Sequence, residues 1–304
     1  MFYENCWFFI CLNLGQYPRN HNYSRLIISF SFYIYHNSGM RKKRFFGIYY
    51  KHQNKDGYTI AVIVSKSNEG DMVQIITNEK AYLIKDVSQV KASFDGITFD
   101  IHQEDLSLVG HISYDKLLKP KKDIMSYYRF FPIECKHKVY SLYHRLDGEI
   151  VVNNETISFH DGDGYMEGDK GRNFPKEYLW LNATNKEASL VLAIALVPLG
   201  LFTIKGITSL ITYQGKEYRF GTYNFAKAIK ISKSHIIVRK GKYILDINIE
   251  DHQGHALKAP VKGDMIRFIH ECPSVSIHYT LKKKDEVIMD ITHPYASFEY
   301  VFKD

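Results

Sequence analysis

A chain of 304 residues can bury a sizeable core, and it is long enough for one large domain or two smaller ones. Aromatic residues make up 14%, with 23 Tyr and 19 Phe but 2 Trp, a choice that suits the half-buried, pleated surfaces of strands better than helices. The net charge of +7 comes from lysines that are scattered and often beside acids, as in Lys282-Lys283-Lys284-Asp285-Glu286, so no nucleic acid partner is expected.

Residues 1–39 differ from the rest: they hold no Lys or Asp, and Glu4, Arg19 and Arg25 are their only charges apart from His and the terminus. Cys6 to Leu14 lacks both a preceding basic region and a small-residue cleavage site, which disfavours a secretory signal. This leader is expected to be dispensable or disordered, or to reflect a true start at Met40. Cys6, Cys11, Cys135 and Cys272 form no disulfide-like framework and no Cys-x-x-Cys pair, which fits a reducing, cytoplasmic setting. His270 near Cys272 is the one metal-like spacing, read here as a packed strand end, and no metal is expected.

Turn pairs recur along the rest of the chain: Asp56-Gly57, Glu69-Gly70, Asp95-Gly96, Asp147-Gly148, Asn153-Asn154, Gln214-Gly215, then Gly241. Between them the apolar residues alternate. Tyr243, Leu245, Ile247 and Ile249 form one such set, and Val275, Ile277, Tyr279 and Leu281 another. The apolar stretch from Ala188 to Phe202 falls short of the ~20 residues of a membrane helix and contains Pro198 and Gly200, so it reads as buried strand. No stretch keeps a helical period. The class is all-β, and antiparallel strands in this number need a barrel or a sandwich to protect their edges.

Asp161 to Pro175 is Gly-rich and reads as a crossover between two halves, with the division near residue 170. Its Asp-Gly-Asp-Gly start fails as a calcium loop, because Tyr165 stands where an oxygen ligand is needed. It fails equally as a phosphate or dinucleotide loop, on the spacing of Gly162, Gly164 and Gly168. No Gly-x-Ser-x-Gly elbow occurs. No cofactor is expected.

Three segments mix ionisable groups with aromatics: Phe45 to Gln53, Phe130 to His144, and Gly162 to Trp180, followed at a distance by Gly215 to Asn224. In this order they resemble the tocopherol cyclase family. The matching pieces are the aromatic-Gly opening at Phe46-Gly47, the Pro132-Ile133-Glu134-Cys135 and His137 stretch, and the signature Gly164-Tyr165-Met166-Glu167 with Gly171, Phe174-Pro175 and Trp180. Lys170 stands where family members often carry Trp. The resemblance covers roughly Phe45 to Phe302. It implies a lipocalin-like (calycin-type) double antiparallel β-barrel, with one barrel at 40–169 and the second at 170–304.

It also implies a hydrophobic small molecule, a prenylated quinol or another isoprenoid, enclosed in a barrel cavity and either carried or closed to a chromanol ring. Peripheral contact with a membrane is compatible with such a ligand, and nothing in the sequence specifies an oligomeric state. Ring closure needs an acid that keeps its proton in an apolar cavity and aromatic faces that stabilise a cation. The expected acids are Glu134, Glu167 and Glu217, with His137 and His144 orienting or relaying protons. The expected pocket wall is Tyr49, Tyr140, Tyr165, Tyr178, Trp180 and Tyr218. If 133–144 is one unbroken strand, Glu134, Tyr140 and His144 share a face while Cys135 and His137 take the other, which favours Glu134 with His144.

Overall fold

The computed structural model describes residues 44–199 and 201–303, so the leader at 1–39 lies outside the described residues. The first sheet contains β1 (Phe45–Gln53), β2 (Thr59–Ser67), β3 (Gly70–Thr77), β4 (Ala81–Ile84), β5 (Val90–Ala92), β6 (Gly96–Gln103), β7 (Leu106–Tyr114), β8 (Cys135–Val152), β9 (Glu155–Ser158) and β10 (Gly162–Gly171). The second contains β11 (Tyr178–Thr184), β12 (Ala188–Leu199), β13 (Phe202–Tyr213), β14 (Lys216–Gly221), β15 (Lys227–Ile231), β16 (His235–Lys240), β17 (Tyr243–Ile249), β18 (His255–Val261), β19 (Asp264–Lys283) and β20 (Glu286–Tyr300). No α-helix occurs among the described residues, and none there is long and apolar enough to cross a membrane.

The two sheets repeat one plan. The first runs β4-β3-β2-β1-β10-β8-β7-β6-β5 with β9 on β8, and the second runs β14-β13-β12-β11-β20-β19-β17-β16-β15 with β18 on β19. The chain passes from one to the other over residues 172–177.

Each sheet is rolled around its own core. Tyr82 and Ile84 of β4 lie in the same buried cluster as Val90 of β5, Ile97 of β6 and Leu146 of β8, and opposite ends of a sheet meet on one face only if the sheet curls. Ile211, Phe220, Ile236, Val238 and Tyr279 do the same in the second half. The alternation read at 243–249 and 275–281 supplies part of this second core. The result is the expected lipocalin-like double barrel.

A third cluster lies between the barrels and uses the outward faces of both. Tyr49, Ala61 and Tyr165 from the first meet Trp180, Val191 and Leu210 from the second. The β18–β19 hairpin crosses from the second barrel onto the first: Gln74 Nε2 donates to the Lys258 carbonyl at 3.0 Å, and the Lys258 amide donates back to Gln74 Oε1 at 2.7 Å. Its tip is held by the Asn68 amide, which donates to the Gly263 carbonyl, and by the Gly263 amide, which donates to the Arg172 carbonyl.

Two local readings are corrected. The Gly-rich stretch is not a loop, because Gly162–Gly171 is β10, between β1 and β8. Its glycines have no positive φ; they admit close neighbours, a Cβ on Gly168 falling 2.8 Å from the Tyr140 ring and one on Gly164 falling 2.3 Å from His144 Nε2. Asp147-Gly148 is not a turn either. It lies inside β8, where Gly148 at φ +132° presses against the His111 carbonyl.

Candidate active site

A cavity of about 200 Å³ opens between the barrels. Each barrel's interior holds an apolar core, and the expected location inside a barrel is corrected: the hollow lies where the outward faces of β1, β10, β11 and β12 meet the β18–β19 hairpin. Most of its wall is apolar, including Ile48, Ile63, Ala193, Ala195, Leu257 and Ile269. Its polar groups are concentrated on β8, β10, β19 and β20.

The densest of these is a pair of glutamates. Antiparallel register sets Glu271 of β19 directly opposite Glu299 of β20, both buried and both on the cavity wall. Tyr49 donates to Glu271 Oε1 at 2.5 Å, and Tyr178 donates to Glu299 Oε2 at 2.6 Å. Burial pushes Glu271 up to about 7, against the Tyr49 hydrogen bond and the Lys51 charge, which pull it down. Burial and then the Glu271 charge raise Glu299 well above the usual carboxylate range. Two carboxyls this close cannot both ionise in an apolar site, so their protons belong to the pair. Lys51 lies near, its ammonium bound to the Tyr295 carbonyl at 2.7 Å, and burial lowers it to about 7.

The second polar group centres on His137 of β8. Its Nδ1 is 3.1 Å from Asp169 Oδ1 and its Nε2 3.1 Å from Glu167 Oε2. The contact to Glu167 is an ion pair without hydrogen-bond alignment. Burial alone would lower the imidazole, but the Glu167 and Asp169 charges outweigh it and hold it well above its ordinary value. Glu167 Oε2 also accepts from Tyr165 at 2.5 Å and from Trp180 Nε1 at 3.0 Å. Two donors on one oxygen, with the His137 charge beside it, suit Glu167 to accept rather than to donate. His137, Glu167 and Asp169 place one ligand atom each within 4.8 Å, and they are the described residues that could take a divalent cation. Each ring nitrogen already faces a carboxylate, so an ion would have to displace one of those contacts.

The other expected residues divide cleanly. Tyr49, Tyr178 and Trp180 line the cavity, with the Tyr49 and Trp180 rings edge to face at 5.3 Å. Tyr165 adjoins it through Glu167. Glu134 reaches the rim but precedes β8, and its carboxylate accepts from Asn173 at 2.9 Å as a tie to the crossover. His144 is elsewhere, buried against the Tyr114 ring in the first barrel and lowered to about 3 by burial. The pairing of Glu134 with His144 is therefore not made; register shifts around Met166 bring Glu167 beside His137 instead. Tyr140 packs against Phe94 and the first core, Tyr218 against Tyr243, and Glu217 is ion-paired to Arg219 at 2.9 Å; none of the three lines the cavity.

Glu271 and Glu299 were not anticipated. Glu271 sits between the two residues weighed as a metal spacing, of which His270 is exposed and Cys272 faces the second core. Parity with Ile269 was an available signal for its face. Its partner 28 positions away was not, because bulges interrupt the register between Cys272 and Ile277.

Neither a family model nor a curated protein matches the chain. Among solved structures it is similar to CghA, at 9% identity over 86% of this chain and 90% of that one, with a TM-score of 0.59. The structure of CghA with Sch210972 matches at 8% identity over 85% and 88%, with a TM-score of 0.57. Kievitone hydratase from Nectria haematococca matches at 9% identity over 84% and 88%, with a TM-score of 0.50. At such identities the likeness establishes the fold alone.

Proposed function

We propose that the cavity binds a prenylated aromatic or similar isoprenoid and that the Glu271–Glu299 pair protonates its alkene, as in a tocopherol cyclase-like ring closure. The observation that carries this reading is a pair of cross-strand carboxyls buried together on the wall of an apolar hollow. Desolvation keeps the proton on the pair near neutral pH, when a solvated glutamate would have lost it. Transfer to the less substituted alkene carbon leaves a tertiary cation, and the ionised pair takes up the phenolic proton as the phenol oxygen closes the ring. Protons balance, and the reaction is an isomerisation. The cavity-lining rings of Tyr49 and Trp180 and the acceptor oxygen of Glu167 would stabilise the cation.

The fold neighbour named a hydratase makes water the competing nucleophile. The test is incubation with a prenylated hydroquinone and mass analysis of the product, a chromanol being isobaric with substrate and an alcohol heavier by one water. Glu271→Gln and Glu299→Gln are each expected to lower turnover by about a hundredfold or more. Turnover unchanged in both removes the pair from the chemistry. A hydrophobic ligand co-purifying in native mass spectra, with no turnover of any kind, would instead make the chain a carrier.

A further inference from the structure

Wall residues of the cavity continue outward along β12 and β13. From Ala193 beside the Trp180 position, the wall runs through Ala195 and Val197 toward the hairpin tip at Leu201, about 26 Å along the strand. The tip contradicts the reading of Ala188 to Phe202 as buried: Leu201 is 99% and Phe202 75% exposed. Other exposed rings gather at the same end. Phe225, 86% exposed, follows the short turn Thr222–Asn224, whose Thr222 hydroxyl donates to the Lys205 carbonyl. Tyr223 of that turn packs on Tyr128, within the segment that exposes Tyr127 and Phe130. Tyr128 itself lines the cavity.

The strands that carry these tips are rich in cations. From Ala188 to Leu245 the sequence holds nine Lys and Arg and a single carboxylate, Glu217, which Arg219 neutralises. The scatter of acids among lysines seen elsewhere does not extend to this stretch. Lys205 and Lys227 flank the exposed Phe202 and Phe225. Arg219 also binds the Lys122 and Asp123 carbonyls, which fastens the lysines at 119–122 to the same end.

We infer that this end of the molecule docks on an anionic lipid bilayer, the Leu201–Phe202 tip and Phe225 entering the interface with the cavity mouth facing the membrane. Exposed apolar side chains flanked by exposed Lys205 and Lys227 match the two components of such a surface, acyl chains and anionic headgroups. Aliphatic Leu201 and Ile229 at the exposed positions favour lipid over nucleic acid, which stacks on rings but offers aliphatic groups little. The inference does not depend on alkene protonation, since the docking is read without substrate.

Vesicle flotation of the full chain tests it, using phosphatidylcholine alone and phosphatidylcholine mixed with phosphatidylserine, at low and high salt. Wild type is expected to float with the anionic vesicles and to lose binding in salt. Leu201→Ser with Phe202→Ser should lower partitioning about tenfold, and Lys205→Glu with Lys227→Glu should abolish the preference for phosphatidylserine. All these positions are exposed, so circular dichroism should be unchanged; Val151→Ser, exposed on the first barrel, serves as the apolar control and should bind as wild type. Wild type absent from both vesicle types, both double variants floating like wild type, or retention on RNA without vesicle binding would each overturn the inference.

Discussion

Tyr49 holds the most informative single hydroxyl in the cavity. Its O–H reaches Glu271 at 2.5 Å and so favours the ionised form of that carboxyl. A hydrogen bond to a charged group contributes about 1.5–3 kcal/mol, and 1.36 kcal/mol corresponds to one pH unit. Tyr49→Phe keeps the ring against Trp180 and removes only the donor, so titration of the Glu271–Glu299 pair should move upward by about one unit or more. Carboxyl-labelled NMR titration measures this without a substrate; an unchanged titration would mean that the hydroxyl serves Ser297, 3.3 Å away, instead. The same residue shows what a sequence can disclose. Tyr49, Trp180 and Glu167 could be singled out because each sits in a local run that mixes ring and charge. Glu271 and Glu299 could not, because each is an isolated acid in an ordinary strand, and their meaning arises only from the register that makes them neighbours.

Among the elements, the β18–β19 hairpin is the one that converts two barrels into a walled cavity. It lays Leu257, Pro260 and Ile269 over the gap, yet its outer strand β18 pairs only with β19. Gln74 supplies the missing partner by satisfying both main-chain groups of Lys258, much as a neighbouring strand would. Gln74→Leu should strand a buried donor and acceptor, at about 1–3 kcal/mol for each group that water cannot reach. Amide exchange at Lys258 and Ala259 is expected to quicken more than exchange in β17, whose ladder is untouched. Equal exchange in both would show that the hairpin is held by its tip contacts at Asn68 and Arg172 alone. Hairpin punctuation and period-two alternation made the strands of both barrels legible from sequence. The role of β18 was not, since a cross-barrel side-chain bond leaves no periodic trace, and the glycines of β10 mimicked a loop because close packing and turning ask for the same residue.

Across the whole molecule, buried ionisable groups set opposing limits on the pH range of stability. His52, His144 and His293 are lowered by burial to about 4, 3 and 4. Their contribution is present above the ordinary histidine value and is lost as pH falls toward those figures, because the unfolded chain then binds more protons. Glu271 and Glu299 are raised, so their contribution is full below the ordinary carboxylate value and is lost as pH climbs through the folded one. For Glu271, a rise from 4.5 to about 7 corresponds to about 3 kcal/mol between the two limits, and the residue is fully buried, so solvent screening takes little from it. Glu271→Gln keeps the shape of the protonated acid and cannot ionise. Thermal unfolding followed from about pH 5 to about pH 8 should therefore show the variant gaining on wild type as pH rises, while the acid limb set by the histidines stays where it was. A constant difference between the two curves would mean that Glu271 is already ionised at the lower end of that range, stabilised by Lys51, and that the cavity carries a buried ion pair where a protonated carboxyl is placed here.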